Sequence, residues 1–250
     1  MKKLLLSGIT AVALMAAGTA QAGGLDLYGG TGVARTPLAM SLAPMTFQVA
    51  AEYVFSEDTF VPMRGAIGLP YGIELGGAYW YTDTTPDDLD IWDLTAKVVL
   101  PKFVENLGLA VGGHYNAFSS DKANLDNDGH DLYAVATYTA PIGEGMTLIP
   151  SVGVKWQSLT GDNEQDDFRF FGSLLFKMQT FVVGGEYVSA SDELDGADVD
   201  GSYWVGGRYF LNPMITLQAG YLNNANIGGG TDFEDGVFHI GAQFAFGGAK

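Results

Sequence analysis

The stretch N-L-D-N-D-G at residues 124–129 carries the alternating oxygen ligands of a calcium-binding loop. Asn124, Asp126 and Asp128 occupy alternate positions, and Gly129 follows where such a loop turns sharply. The motif also requires a bidentate acid at its twelfth position, which here is Val135, so the full motif fails. We expect no resident cofactor and, at most, weak Ca²⁺ binding at this stretch, which has the composition of an extracellular loop tip.

The three histidines are the other residues that could do chemistry, as general bases. His114 and His239 lie in alternating apolar stretches, and His130 follows the Asp-rich stretch. A serine hydrolase needs a hydroxyl within hydrogen-bonding reach of a histidine that a third group orients. Ser119 and Ser120 are the nearest serines to His114 in sequence, but the spacing places neither beside the ring. We therefore predict that the protein is not an enzyme.

The first 22 residues have the pattern of a secretory signal peptide. Lys2 and Lys3 start it, a mainly apolar run follows at residues 4–17, and A-Q-A at residues 20–22 matches a cleavage site. The exported chain is expected to begin at Gly23 and to keep 10 basic residues against 29 acidic ones, a net charge of −19. Nucleic acid is excluded as a partner, because phosphate binding needs a positive field. No cysteine is present, which excludes disulfides and thiol chemistry.

From residue 45 onward, apolar and polar residues alternate in short segments. In the first segment, Phe47, Val49 and Tyr53 fall on one face of an extended chain, and Gln48 and Glu52 fall on the other. Each segment has about ten residues, the length that a tilted strand needs to cross a bilayer. The twelve predicted strands are residues 45–55, 60–69, 72–82, 90–100, 107–118, 130–140, 146–157, 167–177, 180–189, 201–211, 214–223 and 235–246.

The connections between these segments are of two kinds. One set is short and carries Pro, Gly or Asn, as at residues 69–72 and 211–214. The other set has six mostly longer segments, which hold 22 of the 29 carboxylates and Lys122 as their single basic residue. This asymmetry is typical of bacterial outer-membrane barrels. It predicts an all-β fold, a closed antiparallel up-and-down transmembrane barrel of about twelve strands, with short periplasmic turns and longer acidic extracellular loops.

The polar faces of the segments favour lipid over a soluble core. In a soluble sandwich these faces would be richly charged, because they would meet water. Here they are mainly Gly, Ala, Ser and Thr, and aromatic residues gather near the segment ends, as expected where strands cross lipid headgroups. We predict a location in the outer membrane of a Gram-negative bacterium, with a soluble exported β-protein as the alternative.

The inward faces of the predicted strands carry the residues that could act on a solute. A pore lined by charges of both signs can pass small polar or charged solutes. Alternatively, the charges pair across neighbouring strands and only fill the interior. Glu52 and Arg64 are expected to pair, and Lys155 and Arg169 are expected to form a basic patch that favours anions. The pore-lining candidates are Glu52, Arg64, Glu74, Asp93, Lys97, His114, Lys155, Arg169, Glu186, Arg208 and His239.

Residues 23–44 precede the predicted barrel domain, residues 45–250. The run G-G-T-G-V-A-R-T-P-L-A at residues 29–39 resembles the opening of exopolysaccharide-associated outer-membrane proteins of the YjbH-like family, which begin with G-x-T-G and then T-P-x-A. The matching residues are Gly30, Thr31, Gly32, Thr36, Pro37 and Ala39. The resemblance implies a role in polysaccharide secretion. The segment is expected to be either a partial plug, with Arg35 near the interior acids, or a periplasmic lead-in.

These observations predict a porin-like membrane protein, a narrow passive channel for the transport of small hydrophilic solutes. The first alternative is a non-conducting surface barrel linked to polysaccharide, and the second is an outer-membrane lipid or ester hydrolase. The expected partners are outer-membrane lipid and lipopolysaccharide, the barrel-assembly machinery and the small solutes.

Overall fold

The computed structural model describes residues 24–26, 29–55, 59–83, 89–120, 125–160, 165–190, 201–223 and 236–247. Within these ranges the chain forms twelve long antiparallel strands. They are β1 (Thr46–Phe55), β2 (Thr59–Gly68), β3 (Ile73–Asp83), β4 (Leu89–Val99), β5 (Leu107–Ser120), β6 (Leu125–Tyr138), β7 (Met146–Thr160), β8 (Gln165–Lys177), β9 (Phe181–Val188), β10 (Ser202–Asn212), β11 (Ile215–Asn223) and β12 (Val237–Gly247). All twelve strands predicted from the alternation are present.

The sheet closes on itself. Each strand pairs with its neighbours along the chain, and β12 pairs with β1. This seam runs from Phe238 opposite Phe55 to Gly247 opposite Thr46. Closure gives the backbone groups of the first and last strands partners, which a sheet inside hydrocarbon requires. The predicted closed antiparallel barrel is therefore confirmed.

Side chains alternate between the outside and the inside of the barrel, as the sequence pattern predicts. In β1, Phe47, Val49 and Tyr53 are exposed, whereas Gln48 and Glu52 are buried. Many of the β-branched and aromatic residues that favour strands lie on this outer surface. An outer surface of this kind suits hydrocarbon, because contiguous exposed apolar area is unfavourable in water.

Aromatic rings pair on the outer surface near both ends of the strands. At the tight-turn end, the rings of Phe47 and Phe246 stack with centroids 5.9 Å apart. At the end of the long connections, the rings of Tyr79 and Trp92 lie 4.4 Å apart. Such rings occur where strands pass through the headgroup region of a bilayer.

The tight turns use residues in the left-handed backbone region. Between β2 and β3, a single 3₁₀ turn spans Pro70–Gly72, with φ of 65° at Tyr71 and 75° at Gly72. Asn106 and Gly145 adopt φ of 63° and 69° in the next two turns. Gly and Asn tolerate this conformation, which is why they mark these turns in the sequence. In the described ranges, no helix is long and apolar enough to cross a membrane.

Some strands extend further toward the long connections than the alternation predicts. β6 begins at Leu125 rather than residue 130, so Asp126 and Asp128 lie on a strand and not at a loop tip. Its inner face continues through Asp131, which is buried. The inside of a barrel accepts a charged residue that has a partner, so a strand can continue through a segment that resembles a polar loop. The predicted signal peptide, Asn124 and the middle of each long connection lie outside the described residues.

The segment that precedes β1 lies inside the barrel. We call residues 24–44 the plug. Leu25 and Leu38 are 0% exposed, and Leu38 belongs to an apolar cluster with the inward-facing rings of Trp80 and Trp204. The two-residue strands Gly24–Leu25 and Thr31–Gly32 pair as a small hairpin within the lumen. The plug therefore has its own backbone structure and an apolar core with the barrel wall.

Candidate functional site: the barrel lumen

The structure places every predicted pore-lining side chain inside the barrel. None of them is more than 9% exposed, and most of them contact each other or the plug. These buried residues are Glu52, Arg64, Glu74, Asp93, Lys97, His114, Lys155, Arg169, Glu186, Arg208 and His239. Their inward direction follows from the two-residue period of the strands. Whether they line an open pore remains a prediction.

One polar network runs from the wall to the plug through Glu52. Glu52 and Arg64 form an ion pair on the neighbouring strands β1 and β2, which confirms the predicted pair. Arg64 Nη1 also donates to the carbonyls of Leu25 at 2.9 Å and Asp26 at 3.0 Å in the plug. On the other side, Glu52 Oε2 lies 3.1 Å from His239 Nδ1. One arginine therefore pairs with the wall and binds plug backbone at the same time.

A second wall pair also holds the plug. Glu74 on β3 and Lys97 on β4 face each other, and the Lys97 Nζ to Glu74 Oε1 distance is 3.0 Å. The other carboxylate oxygen of Glu74 accepts the backbone N–H of Leu42 at 2.8 Å. Both side chains are about 1% exposed. Loss of either side chain would leave the other charge buried without its ion-pair partner.

The expected basic patch is absent as a free cationic surface. Lys155 and Arg169 lie on the adjacent strands β7 and β8, as predicted, where they are direct cross-strand partners. However, Arg169 Nε donates to Asp167 Oδ2 at 2.5 Å, and Lys155 Nζ lies 3.7 Å from Asp131 Oδ2. Both acids lie at predicted strand ends that overlap the acidic connections. The prediction that the patch favours anions counts them with the connections and therefore leaves out their negative charge in the lumen.

A turn of the plug surrounds the carboxylate of Glu186. The backbone N–H groups of Ala34 and Thr36 donate to Oε2 at 3.1 Å each, and the N–H of Arg35 donates to Oε1 at 2.6 Å. The Thr36 hydroxyl adds a bond of 2.7 Å to Oε2. Arg35 Nη1 donates to Ser202 Oγ at 2.8 Å on β10. Four donors on one carboxylate hold this turn of the plug against β9.

The wall is shaped to accept the plug backbone. A Cβ added at Gly76 on β3 would collide with the carbonyl oxygen of Gly29, and one at Gly108 on β5 would collide with that of Ala39. Ala39 is also fixed by its N–H, which donates to Thr137 Oγ1 at 2.9 Å. Glycine allows this close approach because it has no side chain. The wall therefore provides a groove, and not only charges, for the plug.

Asp26 is the acid that the plug itself brings into the lumen. Its Oδ1 accepts the N–H of Gly30 at 2.9 Å, and its own N–H donates to the carbonyl of Gly30 at 2.7 Å. Burial raises the pKa of Asp26 above its usual range, because desolvation disfavours the charged carboxylate. No group of three or more His, Asp or Glu side chains in the described ranges could hold a metal ion.

The histidines on the inner face have structural partners. Trp204 Nε1 donates to His239 Nε2 at 2.7 Å, and the other ring nitrogen faces Glu52. His114 Nδ1 lies 3.7 Å from Asp131 Oδ2, and its ring lies 5.1 Å from that of Tyr133. The two nitrogens of His239 are therefore engaged by side chains other than a serine nucleophile.

Sequence reasoning missed the acids that neutralise the lumen. Asp131 and Asp167 count among the acids of the long connections, and Asp26 is not among the predicted lumen groups. A signal for Asp131 does exist: the alternation D-L-Y-A-V-A-T at residues 131–137 puts it on the same face as Tyr133 and Thr137, which are buried. Asp26 has no such signal, because its position depends on the path of the plug.

Known proteins share this architecture at low sequence identity. No family model and no curated protein matches the chain. A solved KdgM porin aligns with a TM-score of 0.55 at 11% identity, over 80% of this chain and 99% of that chain. The KdgM porin in complex with disordered oligogalacturonate gives 0.54 at 11% identity, with the same shares. The β domain of the Bordetella autotransporter BrkA gives 0.47 at 12% identity, over 81% and 98%. The chain thus has the fold of an outer-membrane β-barrel.

Proposed function

We propose that the protein is a narrow outer-membrane channel for small hydrophilic solutes, which its plug closes in the conformation described. Such a channel lies in outer-membrane lipid and lipopolysaccharide, is inserted by the barrel-assembly machinery and passes solutes when the plug moves. The KdgM porin structure with oligogalacturonate supports the choice of solute class, since that porin has the same fold.

The observation that carries the proposal is that the charges of the wall pair mainly with one another. If the plug left, these pairs would remain, and the wall would present polar groups to water. A lumen that needed the plug for neutrality would instead expose unpaired charges when the plug left. The pairs within the wall are Glu52 with Arg64, Glu74 with Lys97, Asp131 with Lys155, and Asp167 with Arg169.

The contacts between wall and plug can be exchanged for water. Most are hydrogen bonds to plug backbone, from Arg64 and Arg208 to carbonyls and from N–H groups to Glu74 and Glu186. Water can replace each of them, and a bond of this kind, in which one partner is charged, contributes about 1.5–3 kcal/mol net. Each of these contacts is therefore easier to break than a buried ion pair of the wall, whose disruption costs about 3–5 kcal/mol.

The alternative is a non-conducting barrel that supports polysaccharide or envelope structure. The fit of the plug favours it, since Leu25 and Leu38 are fully buried and Gly76 and Gly108 approach plug carbonyls closely. A segment seated this well can serve as a permanent filling. We propose no catalytic role, because His239 is engaged by Trp204 and Glu52.

Planar-bilayer recording of the full chain and of a variant without residues 24–42 separates these functions. The channel predicts rare stepwise currents for the full chain and frequent steps for the variant, with circular dichroism confirming that both keep the barrel. A folded variant that carries no stepwise current would overturn the channel and leave the structural barrel.

A further inference from the structure

The turn at residues 33–36 of the plug has the form of an anion site, and a carboxylate already occupies it. We propose that this turn is a binding site for carboxylated solutes, which displace Glu186 from it and so release the plug. The inference rests on the proposed function, because it gives the channel its opening signal. It adds a ligand class and a site that the polar lumen alone does not specify.

The donors of the turn suit a carboxylate in particular. Three consecutive N–H groups, of Ala34, Arg35 and Thr36, converge on both oxygens of Glu186 at 2.6–3.1 Å. The Thr36 hydroxyl makes a fourth bond at 2.7 Å. Successive backbone N–H groups in a turn form a concavity that binds anions, and charge-assisted bonds of this kind are about twice as strong as neutral ones.

The carboxylate of Glu186 is held by backbone and hydroxyl donors of the plug rather than by an ion-paired cation of the wall. In the described part of the chain, the ion pairs of the lumen join other residues. The four donors belong to the plug, so they would move away with it. A free carboxylate that takes the donors would leave Glu186 to water and cations in the opened lumen. The exchange thus replaces one carboxylate by another at the same four donors.

The site lies near the long-connection end of the barrel, from which we expect solutes to enter. Ser202, which accepts from Arg35, is the first residue of β10 and follows the long connection between β9 and β10. The charges of Arg35 and Arg169 are close enough to Lys155 to act on it electrostatically. Lys155 and Arg169 have carboxylate partners, so the cation of the turn itself that attracts an entering carboxylate is Arg35, and this attraction raises the local concentration of the solute.

Isothermal titration of the full-length barrel with sodium acetate tests the site directly. Glu186→Ala removes a group of about the size of acetate, so acetate should fill the space and bind the four donors. Because the wild-type carboxylate competes for them, we expect acetate to bind Glu186→Ala at least roughly tenfold more tightly than wild type. Neutral acetamide serves as the matched ligand, and Glu186→Ala combined with Thr36→Val should weaken acetate binding through loss of one donor. Equal acetate affinity in wild type and Glu186→Ala, or equal binding of acetamide and acetate, would overturn the proposal.

A second measurement uses the wild-type chain, so it does not depend on the folding of a variant. Hydrogen exchange at the amides of Ala39 and Leu42, which donate to Thr137 and Glu74 of the wall, reports whether the plug stays docked. The amides of Ala34, Arg35 and Thr36 would instead stay bonded to the carboxylate of the solute. Sodium glucuronate should accelerate exchange at Ala39 and Leu42, whereas neutral glucose should not. Identical exchange in both sugars would overturn release by carboxylates. Both tests are independent of current, so a protein that binds acetate but never conducts would refute the channel and keep the site.

Discussion

Replacement of Gly76 by alanine should dislodge the plug without damage to the barrel. The added Cβ would lie 2.9 Å from Thr95 Cγ2 and 3.0 Å from the carbonyl carbon of Gly29, and it would collide with the carbonyl oxygen of Gly29. The Thr95 methyl group can adjust by rotation of its side chain. The Gly29 carbonyl cannot, because it is backbone in a left-handed conformation with φ of 86°. The plug must therefore shift away from β3.

Insertion of a methyl group into a packed contact costs about 1–3 kcal/mol. If that cost falls on the docked state alone, the population of undocked plug rises roughly 5- to 150-fold. Five plug amides report docking, because their N–H groups donate to wall side chains: Ala34, Arg35, Thr36, Ala39 and Leu42. Their exchange rates should rise by the same factor when exchange requires undocking.

Gly65→Ala on the adjacent strand is the matched control. Its added Cβ would meet only Gln48 O at 3.7 Å and Val49 Cγ1 at 3.8 Å, ordinary contacts away from the plug. Both variants gain equally from the lower entropy of the unfolded chain when glycine becomes alanine. If Gly76→Ala and Gly65→Ala show the same exchange at the five amides, the groove does not position the plug and the reasoning is wrong.

Three further predictions concern the charged groups. Glu52→Gln should destabilise the barrel by about 3–5 kcal/mol in urea unfolding, because it leaves the Arg64 guanidinium buried without its carboxylate. The double variant Glu52→Leu with Arg64→Met should recover most of that loss. An unchanged urea midpoint in Glu52→Gln would contradict this prediction. Because the pKa of Asp26 is raised in the docked plug, docking should be strongest at low pH and weaken as pH rises through that raised value. Amide exchange rates of the plug, corrected for the intrinsic effect of pH on exchange, should show this dependence in wild type and lose it in Asp26→Asn. A pH profile shared by wild type and variant would rule out the role of Asp26. Calcium calorimetry on wild type and on Asp126→Ala plus Asp128→Ala tests the weak Ca²⁺ site, which identical titrations would eliminate.

The sequence is sufficient to predict the barrel because one rule governs all of its strands. Alternation with a period of two decides which side chains meet lipid, so the residue pattern alone assigns Phe47 and Glu52 to opposite faces. The pair Glu52 with Arg64 follows from the same rule, since both residues face inward at similar heights on adjacent strands.

The path of the plug could not be predicted in this way. Residues 24–44 have no regular period, and their contacts join positions far apart in the chain, such as Arg35 N–H with Glu186 at a separation of 151 residues. Both of the open interpretations for this segment, plug and lead-in, fit the same local sequence. The acids of the lumen were missed for a different reason: Asp131 and Asp167 lie at the ends of predicted strands that overlap the acidic connections, and only their partners in the lumen show that they face inward.

The covalent connection between the plug and β1 has a kinetic consequence. Leu42, the last plug residue with a buried side chain, precedes Thr46 at the start of β1 by four positions. A released plug thus stays tethered at the mouth of the lumen, and a short tether gives an effective concentration on the order of millimolar. Re-docking is then intramolecular and needs no partner. A barrel built in this way would open in brief bursts, and the burst length would measure how long a competitor holds the plug away.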